Sequence, residues 1–199
     1  MKLRIHQFIP FTRVEGPGAR VCIQVQGCPI HCPGCAVPFT WSTKGGYEIT
    51  VSELAERIMA GPKVEGITFL GGEPFEQAAG LAELGGILKE AGLSVMTFSG
   101  YLLEDILAAN RQDWNELLRV TDLLVDGPFR KDLRDLSRPW VGSSNQRYHF
   151  LTERYVDLKD RLGNIPNRLE VTLKPDGRVF TNGMATIEDL EGLLNELIK

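Results

Sequence analysis

Four times in the first 130 residues a short apolar run ends directly in a glycine-rich or polar turn, and that repetition limits the folds open to this chain. Val21 to Gln26 runs into a cysteine loop, and Gly66 to Leu70 runs into Gly71-Gly72-Glu73-Pro74. Leu93 to Phe98 ends at Ser99-Gly100-Tyr101, and Asp122 to Val125 ends at Asp126-Gly127-Pro128-Phe129. Helical periodicity fills the gaps. Thr50 caps a helix with Glu53 placed for a capping box, and Val51, Leu54, Ala55, Ile58 and Met59 give it one apolar face. A second helix covers about Glu76 to Ala91, with Leu81, Leu84, Leu88 and Ala91 inward and Gly92 as its stop. Leu102 to Ala109 and Trp114 to Val120 also read as helical. Strand, turn and helix in this order call for a parallel sheet with right-handed crossovers. All four turns then gather at the carboxyl ends of the strands, where α/β proteins place their sites.

The first turn carries the chemistry. Cys28, Cys32 and Cys35 are three of the four cysteines in 199 residues, on a loop bent by Pro29, Pro33 and Gly34. Three thiols on one short segment suit a metal centre and suit a disulfide framework poorly. Zinc could take the three with His31, but His31 is adjacent to Cys32, and structural zinc usually draws on two separated knuckles. An iron-sulfur cluster normally has four thiolates. Cys22 would stand roughly 20 Å from Cys28 along an extended strand, and reads as a buried core residue. Three ligands leave one iron open to bind something else.

Past Phe129 the pattern loosens into a basic, polar stretch from Arg130 to Arg147. Leu169 to Leu173 and Arg178 to Thr181 then form a hairpin about Pro175-Asp-Gly177. A last helix is capped by Thr186, has Asp189 in its first turn, and carries an apolar stripe of Ile187, Leu190, Leu194, Leu197 and Ile198. With 22 basic against 26 acidic residues, the net charge of -4 argues against a nucleic-acid footprint. No run approaches the ~18 apolar residues that span a bilayer, and the first residues carry no secretory signal. A single domain over 1–199 in the reducing cytoplasm, with no nucleic-acid or membrane partner, is the expectation.

Cys28-x3-Cys32-x2-Cys35 after one strand and Gly71-Gly72-Glu73-Pro74 after the next resemble the radical S-adenosylmethionine (SAM) superfamily. Arg13-Val-Glu-Gly-Pro-Gly-Ala-Arg20, Cys32-Pro-Gly-Cys35, Thr97-Phe-Ser-Gly-Tyr101, Val125-Asp-Gly-Pro-Phe129 and Gly142-Ser-Ser-Asn-Gln-Arg147 narrow the resemblance to the glycyl-radical activating enzymes. Among these the chain most resembles the activases of the anaerobic ribonucleotide reductase. It departs from many relatives at Ala36-Val37, where an aromatic residue and Asn are common.

The resemblance implies a partial (β/α)6 barrel with a C-terminal hairpin and helix. It implies a [4Fe-4S] cluster on Cys28, Cys32 and Cys35, with SAM chelating the open iron. Gly34, Ala36, Gly71, Gly72, Glu73, Ser99 and Asp126 are the implied cofactor contacts, and Arg138 or Arg147 would meet the SAM carboxylate. The implied chemistry is reductive cleavage of SAM, ending in a radical on a glycine of a partner enzyme, the anaerobic ribonucleotide reductase. An electron donor such as flavodoxin or ferredoxin is the second implied partner. There is no cysteine after Cys35 for an auxiliary cluster. Two rivals stay open: a radical SAM enzyme acting on another peptide or small molecule, and a non-catalytic zinc or iron-sulfur module.

Overall fold

The computed structural model describes residues 1–166, 168–173 and 175–197. It is a mixed α/β fold with a seven-stranded sheet in the order β3-β1-β2-β4-β5-β6-β7. The centre is the parallel set read from sequence: β2 (Arg20–Val25), β4 (Gly66–Gly71), β5 (Ser94–Phe98) and β6 (Leu123–Asp126). Ile23, Ile67, Phe69, Val95 and Leu124 on one face and Met96, Leu123 and Val125 on the other are fully buried, so both faces of these strands are covered. The last residues of the four strands lie level, which brings their turns to one edge.

The flanks of the sheet are antiparallel. β1 (Lys2–Thr12) pairs with β2 and with β3 (Tyr47–Thr50), and β7 (Arg147–Phe150) pairs with β6. The apolar-run pattern did not announce β1. Its Leu3 and Ile5 alternate inward, but two register shifts and Pro10 interrupt the period.

The helices α1 (Val51–Met59), α2 (Ala78–Glu90), α3 (Leu103–Ala108) and α4 (Gln112–Val120) join the parallel strands, with α2 packed between α1 and α4. Thr50 and Glu53 make the reciprocal capping box at α1. Met59 is exposed, because it is the last helical residue and lies about 80° round from Val51, at the stripe's edge. Ala91 is also exposed: α2 ends at Glu90, and Gly92 at φ 85° turns the chain away.

Beyond β7, residues Glu153–Asn164 form a long 3-10 stretch. β8 (Leu169–Leu173) pairs antiparallel with β9 (Val179–Gly183), and α5 (Ile187–Leu197) follows. The expected stripe on α5 is described only at Leu190, which is partly buried; Ile198 and the side chains of Ile187, Asp189, Leu194 and Leu197 lie outside the described residues. No helix among the described residues is long and apolar enough to cross a membrane.

One buried charge ties the sheet to the turn before β2. The Arg20 guanidinium, fully buried, donates to Thr68 Oγ1 (2.8 Å), Pro17 O (2.7 Å), Ile67 O (2.7 Å) and Tyr155 Oη (2.9 Å). Burial pulls its pKa below the usual guanidinium value, which the set of fixed acceptors counters.

Candidate metal centre

At the carboxyl edge of the sheet lies a cavity of about 600 Å³. Cys28, Cys32, Cys35 and Ala36 line it together with Gly71, Gly72, Glu73, Ser99 and Gly127. The three cysteines, all partly buried and with free thiols, are thus brought to one hollow with the motifs that end the next strands.

The cysteine loop is held from both sides. Gly27 N donates to Thr40 O (2.7 Å) and Cys28 N to Trp41 O (3.0 Å), so the segment after the loop folds back along its entry. Cys35 N donates to Cys32 O (3.0 Å), which closes the turn between the second and third cysteines, and Val37 N donates to Cys35 Sγ (3.4 Å). Burial pushes the Cys28 and Cys32 thiols up, against the opposing N–H groups of Ile30 and His31 on Cys28 and of Phe129 on Cys32. A bound metal reverses that balance, since coordination deprotonates a thiol outright. Among the described residues no three Cys, His, Asp or Glu side chains stand close enough to share a single ion. Soft thiolates on an open hollow are donors of the kind iron-sulfur clusters use.

The Gly71-Gly72-Glu73-Pro74 turn packs against this loop. A β-carbon at Gly72 would lie 2.3 Å from Gly27 O, and that oxygen already accepts Glu73 N–H at 2.8 Å. Only glycine lets the two turns approach so closely. Glu73 is 1% exposed. Its Oε1 accepts from Phe75 N and Ser99 Oγ, each at 3.0 Å, and its Oε2 accepts from Gly100 N at 2.8 Å. Desolvation nevertheless outweighs these donors and pushes its pKa up to about 7.

The other candidates divide. Ser99 lines the cavity and links Glu73 to Tyr101, whose N–H donates to Ser99 Oγ at 3.0 Å. The buried Asp126 is not among the residues lining the cavity; its carboxylate takes Leu103 N (2.7 Å) and two donors from Arg147, with His149 Nε2 3.0 Å away. Burial works to raise this carboxyl, and Arg147, the Leu103 N–H and His149 together bring it below the usual carboxylate range. Arg147 also holds Glu104 through both terminal nitrogens, at 2.8 and 2.6 Å. Arg138 donates to the carbonyls of Ser143, Ser144 and Gln146. Gly34 faces away from the hollow, towards Lys131 and Phe129. Cys22 is buried in β2, and His31 stacks on Trp41 with centroids 4.6 Å apart.

Two residues that sequence reasoning passed over support the site. Gln77 exchanges hydrogen bonds with Arg4, N to Oε1 and Nε2 to O at 2.8 Å each, and also donates to Gln26 O at 2.9 Å. Gln26 Nε2 donates to Phe39 O (3.0 Å) and Ser42 O (2.6 Å). They staple β1 and β2 together just before the cysteine loop. A glutamine in the turn before a helix gives no signal of this; only the position of β1 reveals it. Glu15, just before the Gly16-Pro17-Gly18 turn, also lines the cavity, and desolvation pushes its carboxyl up to about 7 against the Gly183 N–H.

A loop of three thiols open to one hollow offers the soft donor set that an iron-sulfur cluster uses. The family model described as "4Fe-4S single cluster domain" matches residues 14–149. Over 158 residues the chain is 35% identical to the anaerobic ribonucleoside-triphosphate reductase-activating protein of Salmonella typhi, covering 75% of this chain and 99% of that protein. It is 32% identical over 128 residues to the pyruvate formate-lyase-activating enzyme of Clostridium pasteurianum, covering 61% of this chain and 50% of that protein. A solved structure, QueE from Escherichia coli, aligns with a TM-score of 0.44 and 22% identity over 50% of this chain and 53% of that chain. The chain belongs to the radical SAM superfamily, within its family of glycyl-radical-enzyme activating proteins.

Proposed function

We propose that this protein is a radical SAM activase that installs a glycyl radical on a partner enzyme, the anaerobic ribonucleotide reductase. The observation that carries the reading is that Cys28, Cys32 and Cys35 line one cavity with Gly71, Gly72 and the buried Glu73. When bound, a [4Fe-4S] cluster and SAM supply a one-electron reductive cleavage that ends in a radical on a glycine of the partner.

The chain's own residues have the following roles in this reading. Cys28, Cys32 and Cys35 would hold three irons and leave the fourth open. Gly71 and Gly72 let the backbone approach the cofactor without a β-carbon in the way, Ala36 adds only a methyl to the lining of the hollow, and Gly34 acts through the turn between Cys32 and Cys35. Glu73, poised near neutrality by burial, accepts from the cationic amine of SAM, and a cation beside it favours its ionised form. Ser99 orients Glu73 through Oε1. Asp126, engaged by Arg147 and Leu103, orients the sheet edge beneath the ligand. A single domain in the cytoplasm carries these parts, and the four parallel strands with their helices support a partial (β/α)6 barrel of the radical SAM type followed by a C-terminal hairpin and helix. The likeness to the S. typhi activating protein along nearly its whole length supports the reductase as partner.

Anaerobic reconstitution with iron and sulfide tests the proposal. The wild type is expected to gain iron-sulfur absorption and to cleave SAM under strong reductant. Mixed with an anaerobic ribonucleotide reductase, it is expected to give the doublet of a glycyl radical in electron paramagnetic resonance. Replacing any one of the three loop cysteines by Ala should abolish SAM cleavage and the radical doublet. Zinc at one equivalent with no iron, or cleavage that survives the cysteine changes, overturns the reading.

A further inference from the structure

A reductive reaction needs an electron from outside, and the outer side of the cysteine loop carries a feature the site does not use. After β6 the chain reads Arg130-Lys-Asp-Leu-Arg-Asp-Leu-Ser-Arg138, four basic and two acidic side chains in a protein of net charge -4. The start of this segment rests on the loop. The Phe129 N–H faces the Cys32 sulfur, and a β-carbon at Gly34 would lie 3.3 Å from Lys131 Cδ. Pro33, Gly34, Lys131 and Arg134 are all exposed.

A shallow hollow of about 610 Å³ lies here, lined by Pro33, Phe129, Arg130, Lys131 and Asp132. It shares only Phe129 with the cavity that contains Gly71 and Gly72. The two therefore open on different sides of the cysteine loop. Within the segment Arg130 is neutralised by Asp132 at 2.7 Å and Arg138 lies 3.8 Å from Asp135. Lys131 and Arg134 make no ion pair among the described residues. The hollow on the Cys28 side differs, since there Arg4 is held by Glu48 at 2.7 Å and Lys44 is offset by Glu76 in the same lining. Uncompensated positive charge thus lies just outside Cys32 and the turn to Cys35, away from the substrate cavity.

We propose that this face, centred on Lys131 and Arg134 over Pro33-Gly34, is the docking surface for the electron donor, a small one-electron carrier protein with an acidic rim. The proposal rests on the radical SAM reading above. In the docked pair one electron leaves the carrier, which is oxidised by one electron, and enters the centre held by the loop thiolates; no bond or proton changes at this step. Complementary rim charge acts mainly on the rate of encounter and is screened by salt.

The test uses the reconstituted protein with a bacterial flavodoxin as probe, measured in two ways. Stopped-flow bleaching of the cluster absorption by flavodoxin hydroquinone gives the second-order rate, and titration with oxidised flavodoxin gives the affinity. The double variant K131E/R134E is expected to lower the rate and weaken binding, each by about tenfold or more at low salt, with the salt dependence flattened. K131R/R134K should match the wild type, and thermal unfolding of both variants should be unchanged because the side chains are exposed. Photoreduction by a deazaflavin, which bypasses docking, should reduce all three proteins alike and support equal glycyl-radical yields. Unaltered flavodoxin rate and affinity in K131E/R134E overturn the docking surface. So does loss of radical yield in the photoreduced variant, which would assign the patch to the glycyl-radical partner. A wild type that takes up no cluster overturns the radical SAM reading, and the docking surface with it.

Discussion

Glu73→Gln should change the way stability depends on pH, not simply lower it. In the metal-free protein the Glu73 carboxyl is raised from 4.5 to about 7 by burial. Below pH 4.5 it is protonated in the folded and unfolded chains alike and has no effect. Between 4.5 and about 7 the folded state keeps a proton that the unfolded state has lost. Stability therefore falls as pH rises through that window, and the fall ends above pH 7. At about 1.4 kcal/mol per pH unit, the loss is on the order of 3 kcal/mol. Glutamine does not titrate, so the variant lacks this fall. It bears a different, constant penalty. Three donors, Phe75 N, Ser99 Oγ and Gly100 N, converge on the carboxylate oxygens, and an amide meets one side with a competing N–H. That mismatch costs about 1–3 kcal/mol. Urea denaturation from pH 4.5 to 8 should find the variant less stable at the acid end and level with or above the wild type near pH 7.5. Glu15 titrates in the same direction but is common to both proteins and cancels in the difference. Parallel stability profiles would refute the claim that desolvation dominates at this carboxylate.

Three other substitutions test the frame around the site. Gly72→Ala drives a β-carbon to within 2.3 Å of Gly27 O, and should cost about 1–3 kcal/mol in urea denaturation by forcing the two turns apart. It should also weaken SAM binding measured by titration of the reconstituted protein. Arg20→Met removes the donors to Pro17 O, Thr68 Oγ1 and Tyr155 Oη; at about 1–3 kcal/mol for each polar group that loses its partner away from water, a stability loss near or above 3 kcal/mol is expected by the same assay. Thr50→Ala removes the capping box of α1 and should cost about 1 kcal/mol, with iron content after reconstitution unchanged.

What could be read from sequence, and what could not, follows from the range of the interactions. The four parallel strands are short apolar runs buried on both faces, so composition alone announces them, and β2, β4, β5 and β6 lie within one or two residues of their expected bounds. Their terminal turns converge because parallel topology leaves them no alternative. This is why Cys28, Cys32, Cys35, Gly71, Gly72, Glu73 and Ser99 meet at one cavity. The flanking strands were hidden for the opposite reason. β1 and β7 carry polar residues, and β1 breaks its own period at two register shifts, so neither is recognisable without its partner. Asp126 shows the same limit at a single side chain. Its place after a strand made it a candidate ligand contact; what sequence did not reveal is that β7, pairing with β6, brings Arg147 and His149 onto its carboxylate.

The hidden strand also helps to fix the three-thiolate loop. A loop so rich in Pro and Gly, with no regular structure of its own, has few internal hydrogen bonds to fix it; among the described residues its one internal backbone pair is Cys35 N to Cys32 O. Its ends are fixed from outside. Gln26 N donates to Arg4 O at 2.9 Å, Gln77 bridges Arg4 to Gln26, and Gln26 in turn holds the carbonyls of Phe39 and Ser42 after the loop. Entry and exit are thereby clamped by β1 and two amides, while the thiols between them stay partly exposed to the cavity. Clamped ends and free sulfurs suit a centre that must be loaded with iron, opened to one ligand and reached by an electron. Gln77→Leu would keep the volume and remove the clamp. It is expected to leave the parallel core intact and to slow cluster uptake, followed by iron-sulfur absorption during anaerobic reconstitution. Uptake at the wild-type rate would show that the loop is ordered by the metal alone.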